Sequence, residues 1–320
     1  MSDVSKERVE AMRQELSDLS RLNAAMFRQI FASDPVSKRI FAARYDTTDP
    51  QADDCQTERG WDLRIEGDFF LVKRVGGFIY VIVGDATGHH AYAGGLKVFV
   101  AAALKSIFDR FLETRPPSAT LVLKKLSQFF IKVGEAALLE DSKRPLEHGV
   151  EAAVIRIDQA TRSVKYASAG LPVFALRSNG ATKYAEFSDG NGITFPADSR
   201  HPGVSKSLEG TIDVRDVRFL AVATDGFRSL KRRPVQKVKT RTESFGETRL
   251  RDSLISGVQK SERGELAGGI LAATVASVLV ESAKQFRKGF MIPEEADDDR
   301  LIVVVDLDEV WRWYRQNGRD

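Results

Sequence analysis

Cysteine is almost absent from this 320-residue chain. Cys55 stands alone, which excludes an internal disulfide framework and suits a reducing cytosol. It also excludes a cysteine phosphatase, whose nucleophile needs an arginine six residues downstream, where this chain has Trp61. Long apolar runs are missing too. The longest uncharged stretch, residues 266–280, is too short to cross a bilayer and contains Gly268-Gly269, so membrane insertion is not expected. The first residues are charged and lack the apolar core of a secretory leader, so a cytoplasmic location is expected. The net charge of +3 is too small to point to nucleic acid. No glycine-rich phosphate loop, internal repeat or low-complexity tract is present.

What the chain does have is a strong hairpin signal at residues 67–88. Two apolar runs, 69–75 and 78–84, flank Gly76-Gly77. A glycine pair suits a two-residue turn with both central φ angles positive. Pairing outward from that turn sets Asp68 opposite Asp85, with Cβ atoms ~5 Å apart. Facing carboxylates repel unless a cation lies between them or one takes a proton. Two solvated strand-end aspartates fit the same pattern.

Residues 5–32 hold no proline or glycine and read as one helix. Val9, Met12, Leu16, Leu19, Asn23, Met26 and Ile30 follow a heptad alternation, with Asn23 at an a position, where a polar residue can set oligomer state. A homodimer through residues 5–32 and an amphipathic helix lying on the following domain are both open. A first strand is expected near 40–45, after the loop-like Asp34-Pro35 region. Beyond the hairpin, helices are expected from Ala91 to about Glu113 and, capped by Ser118, to about Val133. Strands follow at 152–157, 164–169, 173–177, 183–187 and 218–223, with a charged loop at 140–148 and a long loop at 188–210. Helices near 248–259 and 263–286 precede a last strand at 301–305. This order implies an α+β fold with an antiparallel core and covering helix pairs.

Four acidic positions share one pattern. Asp85 and Asp225 end apolar strands, and Asp68 and Asp297–Asp299 begin them. In antiparallel sheets the end of one strand lies beside the start of its neighbour, so all four can gather on one edge. Carboxylates with no adjacent thiol or imidazole make a hard oxygen site, favouring Mg²⁺ or Mn²⁺ over Zn²⁺. Two such ions sharing an aspartate suit phosphate-ester hydrolysis, since they neutralise the phosphate and acidify a water for in-line attack.

Gly67-Asp68-Phe-Phe, Gly84-Asp85-Ala-Thr-Gly88-His89, Ala169-Gly170-Leu-Pro172, Thr224-Asp225-Gly226 and Asp298-Asp299 before an apolar strand occur in a fixed order. In that order they resemble the SpoIIE-like serine phosphatases, the bacterial branch of the metal-dependent, phosphatase 2C-like protein phosphatases. Ala42-Ala43-Arg44-Tyr45 and the helix before it are similar to the start of that family's domain, and the resemblance covers about residues 10–307. It implies an αββα sandwich over residues 34–320, preceded by a regulatory or dimerising helix at 1–33. It also implies two Mn²⁺ or Mg²⁺ ions, with Asp85 bridging both. Asp68 and the Ala86 carbonyl would complete one shell, and Asp225 and Asp298 the other, with Asp299 as the alternative. The implied activity is a protein serine/threonine phosphatase that attacks phosphoserine or phosphothreonine with metal-bound hydroxide. The implied substrate is a phosphorylated STAS-type, anti-anti-sigma-like regulatory protein in a partner-switching pathway.

The chain departs from the family pattern at several positions. Leu71 replaces a second aspartate, Leu171 the histidine after Ala-Gly, and Leu301 a threonine, while His90-Ala91-Tyr92 replaces small residues. These changes keep open a second reading, a pseudophosphatase that binds a regulatory partner without turnover. Other signals carry less. Asp306-Leu-Asp308-Glu-Val310 resembles a haloacid-dehalogenase nucleophile motif but lacks the large α/β domain that chemistry requires after it. His89 and His90 read as structural residues or as acids near phosphate. The basic run 228–241 reads as a solvated loop or as a guide for an anionic partner.

Overall fold

Gly76 alone of the turn pair has a positive φ, +58°. The hairpin therefore closes with a turn of the II′ kind rather than with two left-handed residues. The computed structural model describes residues 40–46, 61–62, 68–86, 91–112, 116–140, 149–185, 193–194, 208–234, 242–265, 270–288, 290–291 and 300–317. The heptad segment 5–32, Cys55, His89, His90 and Asp297–Asp299 lie outside them.

In chain order the elements begin with β1 (Phe41–Asp46), β2 (Trp61–Asp62), β3 (Asp68–Val75) and β4 (Phe78–Ala86), then α1 (Ala91–Leu112) and α2 (Ala119–Glu140). Next come β5 (Gly149–Asp158), β6 (Ser163–Ala169), β7 (Val173–Arg177), β8 (Gly180–Lys183), β9 (Ile193–Thr194), β10 (Leu208–Ile212) and β11 (Phe219–Ala223). The chain continues through α3 (Gly226–Ser229), β12 (Lys231–Pro234), β13 (Glu243–Ser244), α4 (Gly246–Glu262), α5 (Leu271–Arg287), β14 (Phe290–Met291), β15 (Arg300–Asp306) and α6 (Leu307–Asn317).

Two antiparallel sheets form the centre. One runs β1-β15-β11-β7-β8, and the other runs β10-β6-β5-β4-β3-β2 with β9 beside β5. The alternation of apolar residues decides what each face covers. Phe70, Val72, Val81, Val83, Ala153 and Ile155 face Val173, Leu220, Val222, Val303 and Val305 across the space between the sheets. The opposite parity of the second sheet, including Phe69, Tyr80, Ile82 and Val154, packs under α1 and α2 with Phe108 and Phe130. The outer face of the first sheet, including Phe174, Phe219 and Val304, packs under α4 and α5 with Leu254 and Leu279. The result is the αββα sandwich.

Local chemistry sets the ends of these elements. The Ser118 hydroxyl accepts the N–H of Leu121 at 3.1 Å, which is the expected cap of α2. That helix runs on to Glu140, past its expected end near Val133. Tyr80 donates its hydroxyl to the Pro117 carbonyl at 2.5 Å, tying the second sheet to the α1–α2 connection. Burial pushes this phenol up to about 12, against the opposing pull of Arg156. The β7–β8 turn is the tight pair Ser178-Asn179, so β8 starts at Gly180 and not at Lys183. After β15 the chain enters α6, where the sequence motif suggested none. Asp306 Oδ1 accepts the N–H of Glu309 at 3.1 Å, so the aspartate that mimics a nucleophile is a helix cap.

Candidate metal centre

The hairpin register places Asp68 directly opposite Asp85. The parity that sends Phe70 and Val72, and Val81 and Val83, into the inter-sheet core sends both carboxylates to the same face. Asp68 is 1% exposed, and Asp85 is half-buried. Gly84 precedes Asp85 for a steric reason. A Cβ there would meet the Phe69 ring at 2.2 Å, so only glycine lets β3 and β4 pair closely at the mouth of the hairpin.

Thr224 joins the two sheets at this point. Its hydroxyl donates to Asp68 Oδ2 at 2.8 Å and accepts the N–H of Leu301 at 2.9 Å. Its own N–H donates to the Leu301 carbonyl at 3.0 Å. Asp225 follows at once and opens α3 with φ −71° and ψ −20°. Its carbonyl accepts the N–H of Ser229 at 2.8 Å, while its carboxylate makes no capping bond to the helix. Asp68, Asp85 and Asp225 therefore stand at one end of the sandwich, where β3, β4 and β11 meet the start of β15. Ala86 ends β4 with its side chain in the core under the helices. Asp298 and Asp299 lie outside the described residues.

One carboxylate at this end escaped the sequence reading. Glu151 sits opposite Asp85 on β5 and shares the parity of Ala153 and Ile155. Asp68, Asp85 and Glu151 thus form a row across three adjacent strands. The apolar run 152–157 marks β5 only from Ala152, with 140–148 expected as loop, whereas the strand starts at Gly149. The alternation of Glu151 with the buried Val150 and Ala152 is the signal that extends it.

The donor chemistry fits a hard divalent cation: oxygen ligands only, on a shared, partly dehydrated face. Among the described residues no three His, Cys, Asp or Glu gather tightly enough to enclose an ion.

Residues 76–307 match the model of the family described as Stage II sporulation protein E (SpoIIE). The chain belongs to the SpoIIE family. Among the solved structures that share its fold are the following two. The SiaA-PP2C domain of Pseudomonas aeruginosa is 14% identical with a TM-score of 0.63, over 96% of this chain and 99% of that one. A bacterial serine phosphatase carrying a point substitution is 11% identical with a TM-score of 0.51, over 83% of this chain and 97% of that one. A search of curated proteins gave no match.

Within the SpoIIE frame the three unusual leucines are packing residues. Leu171 and Leu301 are fully buried between the sheets, and Leu71 is buried on the helix-covered face. Among the described residues no helix is long and apolar enough to cross a membrane.

Proposed function

We propose that this SpoIIE-family chain is a Mn²⁺- or Mg²⁺-dependent protein serine/threonine phosphatase. The observation that supports it best is the convergence of Asp68, Asp85 and Asp225 at one end of the sandwich through the Thr224 hydroxyl bridge. Asp68, Asp85, the Ala86 carbonyl, Asp225 and Asp298 would hold the two ions, with Asp85 shared between them. When bound, the two ions neutralise the phosphate ester and acidify a water for in-line attack on phosphorus.

The protein's own residues prepare that event. The Gly76-Gly77 turn fixes the register that sets Asp68 against Asp85. Thr224 holds one oxygen of Asp68 by a hydrogen bond and so fixes the direction of its carboxylate. Burial of Asp68 in the inter-sheet wall removes competing water and strengthens its attraction for a cation. The substrate class is a phosphorylated STAS-type regulatory protein. Residues 34–320 form the phosphatase domain, and residues 1–33 a regulatory or dimerising helix.

The test is phosphate release from p-nitrophenyl phosphate and from a phosphoserine protein, with Mn²⁺ and with chelator. Turnover that requires the metal and is lost in Asp225→Asn supports the reading. Absence of metal-dependent turnover on either substrate overturns it. That second outcome supports the other reading, a pseudophosphatase that binds its partner without hydrolysis. The observation favouring it is the burial of Leu171 and Leu301 beside the site. Light scattering of the full chain against a chain starting at Asp34 tests the helix. Monomers in both cases would exclude a dimer through residues 5–32.

A further inference from the structure

Glu151 has a prepared seat. Its cross-strand neighbour on one side is Asp85. On the other side the pair Ala152–Ala169 brings Gly170 alongside. Gly170 has φ +95°, and a Cβ there would lie 2.7 Å from Glu151 Cδ and 2.9 Å from its Oε1. The positive φ favours glycine at 170, and the space a Cβ would take is filled by the Glu151 carboxyl, which would have to swing away. The turn that holds this seat is itself fixed. Ser168 donates its hydroxyl to the Leu171 carbonyl, and Leu171 is buried in the inter-sheet core. The Glu151 carboxyl thus leans toward β6 beside Gly170, on the same face as Asp68 and Asp85.

We propose that Glu151 is a positioning residue of the cation site, a third charge in the carboxylate row that tightens divalent-cation binding from the β5 side. This rests on the metal-site reading above. Because the carboxyl leans toward Gly170, it acts through its charge and through water rather than as one of the inner ligands. A fixed negative charge several ångströms from a divalent ion at a partly buried position is worth a measurable factor in affinity. Gly170 acts through Glu151. Its replacement pushes the carboxyl off its seat without changing the charge.

The test is calorimetric titration of the full-length chain with Mn²⁺ in low-salt buffer. The variants are wild type, Glu151→Gln, Gly170→Ala, Asp85→Asn and the exposed-site control Glu209→Gln, each checked for folding by circular dichroism. Glu151→Gln keeps the shape and removes the charge. The expected result is a Mn²⁺ affinity about three- to tenfold weaker than wild type, with Glu209→Gln unchanged. Raising the salt should shrink the Glu151→Gln difference, since a charge effect is screened and a lost inner ligand is not. Gly170→Ala, if folded, should weaken binding in the same direction. Equal affinity of Glu151→Gln and wild type, with binding lost in Asp85→Asn, overturns the role of Glu151 and leaves the metal site standing. A wild-type chain that takes up no Mn²⁺ overturns the metal site itself.

Discussion

The hydroxyl of Thr224 donates to the carboxylate of Asp68 across 156 positions of sequence, 2.8 Å from oxygen to oxygen. The same oxygen accepts the backbone N–H of Leu301. One side chain thereby fastens the second sheet to the first at the end where the acidic residues meet. Thr224→Val keeps the shape and removes the hydroxyl. The expected cost is about 1–3 kcal/mol in urea unfolding, together with weaker Mn²⁺ binding because Asp68 loses a partner that orients it. Thr224→Ser should retain most of both. A Thr224→Val chain with wild-type stability and affinity would refute this role.

Gly84→Ala tests the close approach of β3 and β4 beside Asp85. The new methyl would lie 2.2 Å from the Phe69 ring, so the ring or the strand must shift. The expected loss is about 1–3 kcal/mol. Adding Phe69→Leu should recover part of that loss, since the smaller side chain frees the contested space. Additive losses in the double variant would show that the ring is not the obstacle.

Asp306 gives the stability a pH dependence. Burial raises its carboxyl from 3.8 to about 6, only partly offset by the Glu309 N–H and by Arg218. The folded chain therefore binds this proton more tightly than the unfolded chain does. Its contribution is most favourable below the ordinary carboxyl value and is lost as pH rises from about 4 to about 6. Asp306→Asn keeps a capping oxygen for α6 and removes the titration. It should be more stable than wild type by about 1–3 kcal/mol at pH 7.5, with the difference vanishing near pH 3.5. Parallel pH–stability curves for the two proteins would count against this account.

Gly257→Ala addresses the helix pair on the far face of the first sheet. A Cβ at 257 would lie 2.8 Å from Val275 Cα and 3.0 Å from its carbonyl oxygen. The obstacle is backbone, so α4 and α5 must separate. The expected result is a destabilisation of about 1–3 kcal/mol with Mn²⁺ affinity unchanged, because these helices lie behind the sheet that carries Asp225. A change in affinity larger than the change in stability would be the contrary result.

The site was legible in the sequence where local rules reach far enough. A two-residue turn and strand alternation together set the facing of Asp68 and Asp85. The same rules misjudged the turn type, because a glycine pair is compatible with both I′ and II′ turns, which give the same strand register. They also placed the start of β5 too late and so passed over Glu151. A charged loop precedes it, the Val150-Glu151-Ala152 alternation is too short to decide alone, and pairing with β4 and β9 shows that the strand begins at Gly149. The Thr224–Asp68 bond was out of reach, since nothing local couples residues so far apart. Gly170 looked like one glycine of a short motif, and its requirement comes from the Glu151 side chain across the strand.

The order of strands in the first sheet has a consequence for biosynthesis. β15 lies between β1 and β11, pairing with the former from Phe41 to Asp46 and with the latter from Phe219 to Ala223. It follows every other described strand in the sequence, yet it lies inside the sheet, between the edge strand β1 and β11. The β3–β4 hairpin can close within microseconds of its synthesis, but β1 must wait for a partner made some 250 residues later. Until residues 300–306 emerge, Thr224 has no Leu301 to bind. A nascent chain thus carries the paired aspartates before the first sheet, which completes their surroundings, has closed.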